Sequence, residues 1–306
     1  MVFLKNNFRP GRIKEPSQVQ KRLTRPSNLY WNLLNAPYAG KQYKVLLQGS
    51  YGNDTNVWAE SDVDIVIRLD SCFHSDLALL DASQQSAQRA AYSNATYCQA
   101  EFKRDVIKVL TEAFPNAVTA GNKAIAIKAE GGRRKADVIV APAFRRYYRF
   151  KSVFDQSYEE GICFWDRSGE RIANYPNQHS TNLMLKHQAT GNRLKPTIRM
   201  MKNLRLRLVE EGMLDEGAAP SYYIEGLLYN VPNEKFTGSL GDTFCSAINW
   251  VRSEAEKTEL VTANEQYYLL RDNKRPAGPR PMQRLFWTQR YSSGTPGEMR
   301  LTNQNQ

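Results

Sequence analysis

Asp62 and Asp64, in the segment SDVDIVI (61–67), have the type and spacing that suit chemistry. In an extended strand, residues i and i+2 point to the same side. The two carboxylates would then stand together on one face, with Val63 and Ile65 on the other. Adjacent like charges are costly unless something neutralises them, and a divalent cation does so. Carboxylates on a rigid strand are hard oxygen ligands that suit magnesium. Taken alone, an Asp-Val-Asp step also fits a solvated strand end.

Eleven residues separate Gly49-Ser50 from Asp62. Glycine lets the backbone approach a phosphate closely, and a serine hydroxyl with nearby amides can donate to its oxygens. The dipeptide alone marks only a turn; its order and separation from the aspartates give it meaning. Asp137, in KADVIVAP (135–142), offers a third acid on another β-branched run. If that run lies beside the first, three carboxylates converge. Two magnesium ions about 3.5–4 Å apart could then activate a hydroxyl and steady a departing pyrophosphate. The alternative is an exposed acid on an edge strand.

The elements that must position these residues are legible in outline. Residues 44–48 (KVLLQ) form a short apolar run ending at the Gly-Ser turn, and 62–69 form a second strand. Residues 75–113 are compatible with helix. Residues 123–129 and 135–140 read as strands, the latter ending at Ala141-Pro142, and 145–153 with 161–166 read as a further pair. Helical periodicity marks 17–34, 195–211, 221–229 and 242–257. Residues 1–15 read as a basic arm and 291–306 as a polar, frayed tail. The pattern is a mixed α/β first half and a helical second half, without internal repeats. It is divided here as 1–178, a core with an N-terminal helix; 179–290, a helical lobe; and 291–306, the tail.

Composition narrows the class. The 306 residues are 41% hydrophobic and 24% charged, as in ordinary globular chains. Mean hydropathy is −0.59 and no apolar run reaches membrane-spanning length. No secretory signal is read in residues 1–21, so the expectation is a cytoplasmic protein without a membrane partner. The four cysteines (72, 98, 163, 245) show no pairing or zinc pattern with the three histidines. They are read as reduced thiols, most of them core filler. A net charge of +11 favours an anionic partner, a nucleotide or nucleic acid.

Arg199, Lys202 and Arg205 recur on one probable helix whose apolar face holds Ile198, Met201 and Leu208. A solvated basic face explains Arg199 and Arg205. Ser221, after Pro220 and before an apolar run, fits a helix N-cap. Asn174 and Asn182 flank NYPNQH; an asparagine amide both donates and accepts, so it can read a base edge, though turn chemistry beside Pro176 is the alternative. Tyr175, Tyr222 and Tyr223 fit stacking on bases or simple core packing. Lys186 and His187 are candidate triphosphate or base contacts. The clusters 133–135 and 145–149 read as solvated basic faces, with triphosphate or RNA contact as the alternative.

Together, Gly49-Ser50, Asp62-Val63-Asp64 and Asp137 resemble the DNA polymerase β-like nucleotidyltransferase superfamily. QGSYGNDTNV (48–57), ADVIVAPAFRRY (136–147), GICFWDRSGERIANYPNQHSTN (161–182), RMMKNLR (199–205) and SYYIEGLLYN (221–230) narrow the resemblance. It becomes one to the bacterial cGAS/DncV-like nucleotidyltransferases, the CD-NTases of CBASS antiphage defence, and to their E-type, CdnE-like clade. The likeness extends over about residues 30–290.

The resemblance implies an α+β fold: a polymerase β-like nucleotidyltransferase core, a mixed sheet with flanking helices, plus a C-terminal helical lobe, with the active site in the cleft between them. It implies that Asp62, Asp64 and Asp137 are catalytic and hold two Mg2+ ions, for which Mn2+ substitutes. It implies that Lys202 and Ser221 hold the donor triphosphate from one side and Gly49 and Ser50, with Gln48, from the other. Asn174, Asn182 and Lys186 complete the nucleotide-binding candidates. The implied activity is synthesis of a cyclic dinucleotide from ATP and UTP by a monomer that requires no nucleic acid, its product sensed by a separate effector. Two other readings remain at this point: an RNA-terminal (poly(A), CCA or uridylyl) transferase, and an inactive nucleotide-binding scaffold.

Overall fold

The computed structural model describes residues 33–34, 38, 40–57, 62–121, 123–131, 133–165 and 168–270. The expected basic arm, the polar tail and almost all of the expected helix over 17–34 lie outside these residues. Two compact units emerge. The first holds the described residues up to Leu77, with Tyr92–Arg146 and Glu160–Pro176; the second holds Ala78–Ala91, Tyr147–Glu159 and the described residues from Asn177.

The first unit is built on a mixed sheet. Strand β1 (Tyr43–Gln48) leads through a four-residue turn of helix, α1 (Gly49–Gly52), to β2 (Val63–Asp76). Helix α2 (Ala82–Ala91), which belongs to the second unit, and α3 (Gln99–Ala113) follow, then β3 (Val118–Ala120), β4 (Ile125–Ile127), β5 (Ala136–Ser152), β6 (Asp155–Trp165) and β7 (Arg171–Asn174). The strand order is β1-β2-β5-β4-β3, with β6 pairing β5 and β7 pairing β6. β2 and β5 run parallel; β1 on β2, β4 on β5, β3 on β4 and β7 on β6 are antiparallel.

One sheet face is closed by α3. Phe102, Val106 and Leu110 recur every four residues and are fully buried against Val63, Ile65 and Ile67 of β2, Ile125 and Ile127 of β4 and Val138 of β5. A capping box starts this helix: Cys98 N–H donates to Glu101 Oε2 at 3.1 Å. The other face of β2 is covered further along, where Val66 packs with Ala141, Ile162 and Phe164. Covering both faces explains why β2 carries three consecutive apolar residues, Ile65 to Ile67, instead of a strict alternation.

Several expectations need correction. Residues 75–113 are not one helical stretch: β2 continues to Asp76 and two helices follow. The strand at 135–140 does not stop at Ala141-Pro142, and 145–153 is not separate from it; β5 is continuous over 17 residues. Proline has no N–H for the ladder, and the sheet absorbs it locally. Leu69 pairs with Pro142, and the register then shifts so that Phe73 pairs with Ala143. The cluster at 145–149 is not a solvated face: Arg146 is buried beside Asp76, Arg145 lies 4.0 Å over the Phe73 ring, and Arg149 pairs with Asp155 at 2.6 Å. All four cysteines are free, as expected, but only Cys72 and Cys163 are buried, so half rather than most are core filler. Burial pushes the Cys163 thiol up to about 12.

The second unit contributes α4 (Pro176–Ala189), α5 (Leu194–Glu210), α6 (Ser221–Asn230) and α7 (Leu240–Ser253). Leu183, Leu194, Ile198, Ile224, Leu228, Phe236 and Ala247 form its core. Five consecutive residues of α6, Ile224 to Leu228, are buried, so this helix is enclosed on all sides. A capping box at Ser239 and Asp242 starts α7.

Candidate active site

The sheet brings the sequence-predicted acids into one row. Gln48 of β1 stands opposite Asp64 of β2, and Asp64 stands opposite Asp137 of β5. Directly paired residues on adjacent strands, about 4.7–4.9 Å apart, project to the same face. Asp62 precedes β2 by one residue and lies beside Lys135, because Val63 N–H donates to the Lys135 carbonyl at 3.0 Å. Lys135 and Asp137 are again i and i+2. The result is two short columns, Asp62 and Asp64 on one strand, Lys135 and Asp137 on the next.

Lys135 neutralises this corner. Its Nζ donates to Asp62 Oδ2 at 2.5 Å and lies 3.9 Å from Asp137 Oδ2. The hydrogen bond to Asp62 and the charges of all three aspartates raise its pKa, against partial desolvation. The sequence places Lys135 in a basic cluster that reads as a solvated face, with triphosphate or RNA contact as the alternative. The signal that would have found it is its i, i+2 relation to Asp137. Among the described residues no group of three or more His, Cys, Asp or Glu side chains forms a ready-made metal cage. The donor chemistry nevertheless suits a hard cation: carboxylates from two adjacent strands converge on one positive centre, here an ammonium.

Gly49 opens α1 directly above Asp64. Its φ is +63°, and a Cβ there would come within 2.1 Å of Asp64 Oδ2. Both facts require glycine. Ser50 follows it in α1, its carbonyl accepting from Thr55 N–H at 2.9 Å. Asn174 ends β7 with its Nδ2 directed at Gln48 Oε1, 3.4 Å away, while its Oδ1 accepts from Tyr175 N–H at 2.8 Å. Thus Gln48, Gly49, Ser50, Asp62, Asp64, Asp137 and Asn174 all belong to the first unit, and Gln48 links Asn174 to the acid row. Tyr175 is buried edge-on against Phe144, a core role.

The remaining candidates belong to the second unit. Lys202 of α5 is only 1% exposed and its Nζ donates to Glu225 Oε1 at 2.7 Å. Burial lowers its pKa, and the Glu225 charge opposes that. Lys202 is therefore on the covered side of α5, not on a basic surface. Ser221 is the first residue of α6; Pro220 holds the cap position and no side-chain cap bond forms, which corrects the N-cap expectation. Tyr222 stacks on His179 with centroids 4.9 Å apart, and its hydroxyl accepts from Asn264 Nδ2 at 2.8 Å. Asn182 Nδ2 donates to the Ala263 carbonyl, Lys186 Nζ to the Val231 carbonyl at 2.6 Å, and His187 Nδ1 accepts from Lys195 N–H. Glu225 and His179, unassigned in the sequence, form a buried network with Lys202.

Comparison with known proteins decides the family. A curated relative, the cyclic UMP-AMP synthase of Rhodothermus marinus, is 40% identical over 211 residues, 68% of this chain and 70% of its own length. This chain belongs to the cGAS/DncV-like nucleotidyltransferases. The model of the cGAS/DncV-like nucleotidyltransferase C-terminal helical domain matches residues 181–284. The cyclic nucleotide synthase CdnE01 of Staphylococcus haemolyticus is 37% identical over 233 residues, 74% of this chain and 77% of its own length. A solved structure of Rhodothermus marinus CdnE c-UMP-AMP synthase with Apcpp and Upnpp superposes with a TM-score of 0.72 at 32% identity, covering 93% of this chain and all of its own. The expected nucleotidyltransferase core with a C-terminal helical lobe is therefore the observed fold class, and this CD-NTase is an enzyme of the cyclic nucleotide synthase type.

Proposed function

We propose that this CD-NTase joins two NTPs into a cyclic dinucleotide second messenger, with release of two pyrophosphates, and that Asp62, Asp64 and Asp137 are its catalytic residues. The observation that carries the reading is the direct opposition of Asp64 and Asp137 on parallel β2 and β5, with Asp62 two residues away. Three acids gathered on one sheet face without a catalytic use would only destabilise the strands. These aspartates would hold two magnesium ions, with manganese able to substitute. When bound, the ions lower the pKa of the acceptor hydroxyl and neutralise charge at the α-phosphate and the leaving pyrophosphate.

The acceptor ribose hydroxyl attacks the α-phosphorus of the donor. The new P–O bond forms as the bond to the β-phosphate breaks, and the hydroxyl proton passes to solvent. A second transfer of the same kind closes the ring. Gly49 leaves the Asp64 carboxylate room to face the substrate, and Ser50 donates its hydroxyl to the donor triphosphate. In the second unit, Lys202 and Ser221 are the triphosphate contacts this reading assigns. Asn174, held by Gln48, reads a base edge with an amide that donates and accepts. Asn182 and Lys186 are supporting nucleotide contacts.

ATP and UTP are the substrates this reading assigns, because the Rhodothermus marinus relative is named a cyclic UMP-AMP synthase. The enzyme acts as a cytoplasmic monomer in antiviral defence, independent of nucleic acid, with a separate effector as receptor. No helix among the described residues is long and apolar enough to cross a membrane.

Asp64→Asn is the direct test. It keeps the side-chain volume and removes the charge. With magnesium and all NTPs, cyclic product and pyrophosphate should fall at least about 1,000-fold while the circular dichroism spectrum is unchanged. Full activity of the folded variant would refute the assignment.

A further inference from the structure

The charge pair at Lys202 is more completely buried than anything else in the site, and it has a third member. Glu225 is 2% exposed. Its Oε1 accepts from Lys202 Nζ at 2.7 Å, and its Oε2 is 2.8 Å from His179 Nε2. A carboxylate only accepts, so His179 carries a proton on Nε2. Nδ1 of the same ring is buried with no hydrogen-bond partner among the described residues. The ring is held in place by Tyr222 stacked on its face.

Glu225 lies four residues after Ser221 on α6, one turn along the same face. One carboxylate therefore fixes the Lys202 ammonium relative to Ser221, the two residues read as donor-triphosphate contacts. Burial disfavours both charges; the bonds from His179 and Lys202 outweigh it and hold the Glu225 carboxyl below its usual range. Burial and the neighbouring Arg205 and Arg199 push Lys202 towards its neutral form, and the charge and hydrogen bond of Glu225 oppose them. A buried ammonium acts through a low-dielectric surround, so its field on an anion is stronger than in water.

We propose that Glu225 is a positioning residue for the donor NTP: its carboxylate, oriented by His179, holds the Lys202 ammonium charged and aimed for triphosphate binding. The proposal rests on the reading of Lys202 as a triphosphate contact.

A double-mutant cycle on KM for the donor NTP, with ATP as the probe, separates the two. Lys202→Met should raise KM about 10- to 100-fold, the range of a charge-assisted bond. Glu225→Gln, isosteric but uncharged, should raise it about 5- to 50-fold with kcat changed less than threefold. In the Lys202→Met background Glu225→Gln should change KM less than twofold, since it acts only through the lysine. Glu225→Asp, which keeps the charge, should recover part of the loss. If Lys202→Met leaves KM unchanged, the triphosphate reading itself fails. If Lys202→Met raises KM but Glu225→Gln does not, or if the two effects multiply, Glu225 has no positioning role. If Glu225→Gln does not fold, Lys202→Met/Glu225→Leu removes both buried charges and should fold, because an apolar pair is tolerated where a lone charge is not. Its KM should match that of Lys202→Met, and a KM more than twofold higher overturns the proposal.

Discussion

Gly49 sits at φ +63° with Asp64 Oδ2 where a side chain would begin. Gly49→Ala must therefore either tilt α1 or rotate the Asp64 carboxylate out of the acid row. A left-handed backbone alone costs an alanine about 1–2 kcal/mol. A displaced carboxylate costs catalysis more, since misplacement near 1 Å can lower rates about 100-fold. The expected outcome is a Tm lowered by a few degrees and a kcat/KM lowered at least about 100-fold, read by calorimetry and by pyrophosphate release. Asp62, Asp64, Asp137 and Gly49 were legible in the sequence because strand periodicity and a turn signal act over a few residues. Lys135 and Glu225 were not. Lys135 looked like one of three basic neighbours, and only strand pairing places it on Asp62. Glu225 looked like a residue near a cap, and its function-bearing contacts are 23 and 46 residues away.

Helix α3 packs behind the acid row. Its Phe102, Val106 and Leu110 fill the face of β2, β4 and β5 opposite to the aspartates. Leu110→Ala deletes buried methyl groups from an enclosed position and should cost about 2–5 kcal/mol in urea unfolding. Activity per folded molecule should remain near wild type, because the row is built on strands whose register the change does not touch. Helices α5 and α6 were legible almost to the residue, since apolar spacing fixes a covered stripe. The strands were harder. Residues 70–76 continue β2 with Asp, Ser and His, which carry no strand signal of their own, and parallel pairing with β5 past the Pro142 irregularity keeps them extended. Proline likewise hid the continuity of β5. Pairing with β6, distant in sequence from the run 136–140, overrides the local break.

The net charge of +11 first suggested nucleic acid as readily as nucleotide. The buried cations do not account for it: Arg68 lies between Asp70 and Glu160, Arg146 beside Asp76 and Lys202 against Glu225, so each is matched by an acid inside the fold. The excess is carried by the other basic residues and suits a polyanion, triphosphate or polymer. Family membership agrees with a nucleotide partner. The central claim is that this protein by itself closes two NTPs into a ring. The direct measurement incubates it with all four NTPs and magnesium, without RNA, and treats the mixture with phosphatase. The resistant product is then weighed by mass spectrometry. A species with the mass of a cyclic dinucleotide, containing uridine and adenosine, is the predicted result. No turnover of any NTP by the folded protein, or extension of RNA as the sole reaction in a parallel incubation to which RNA is added, would contradict it.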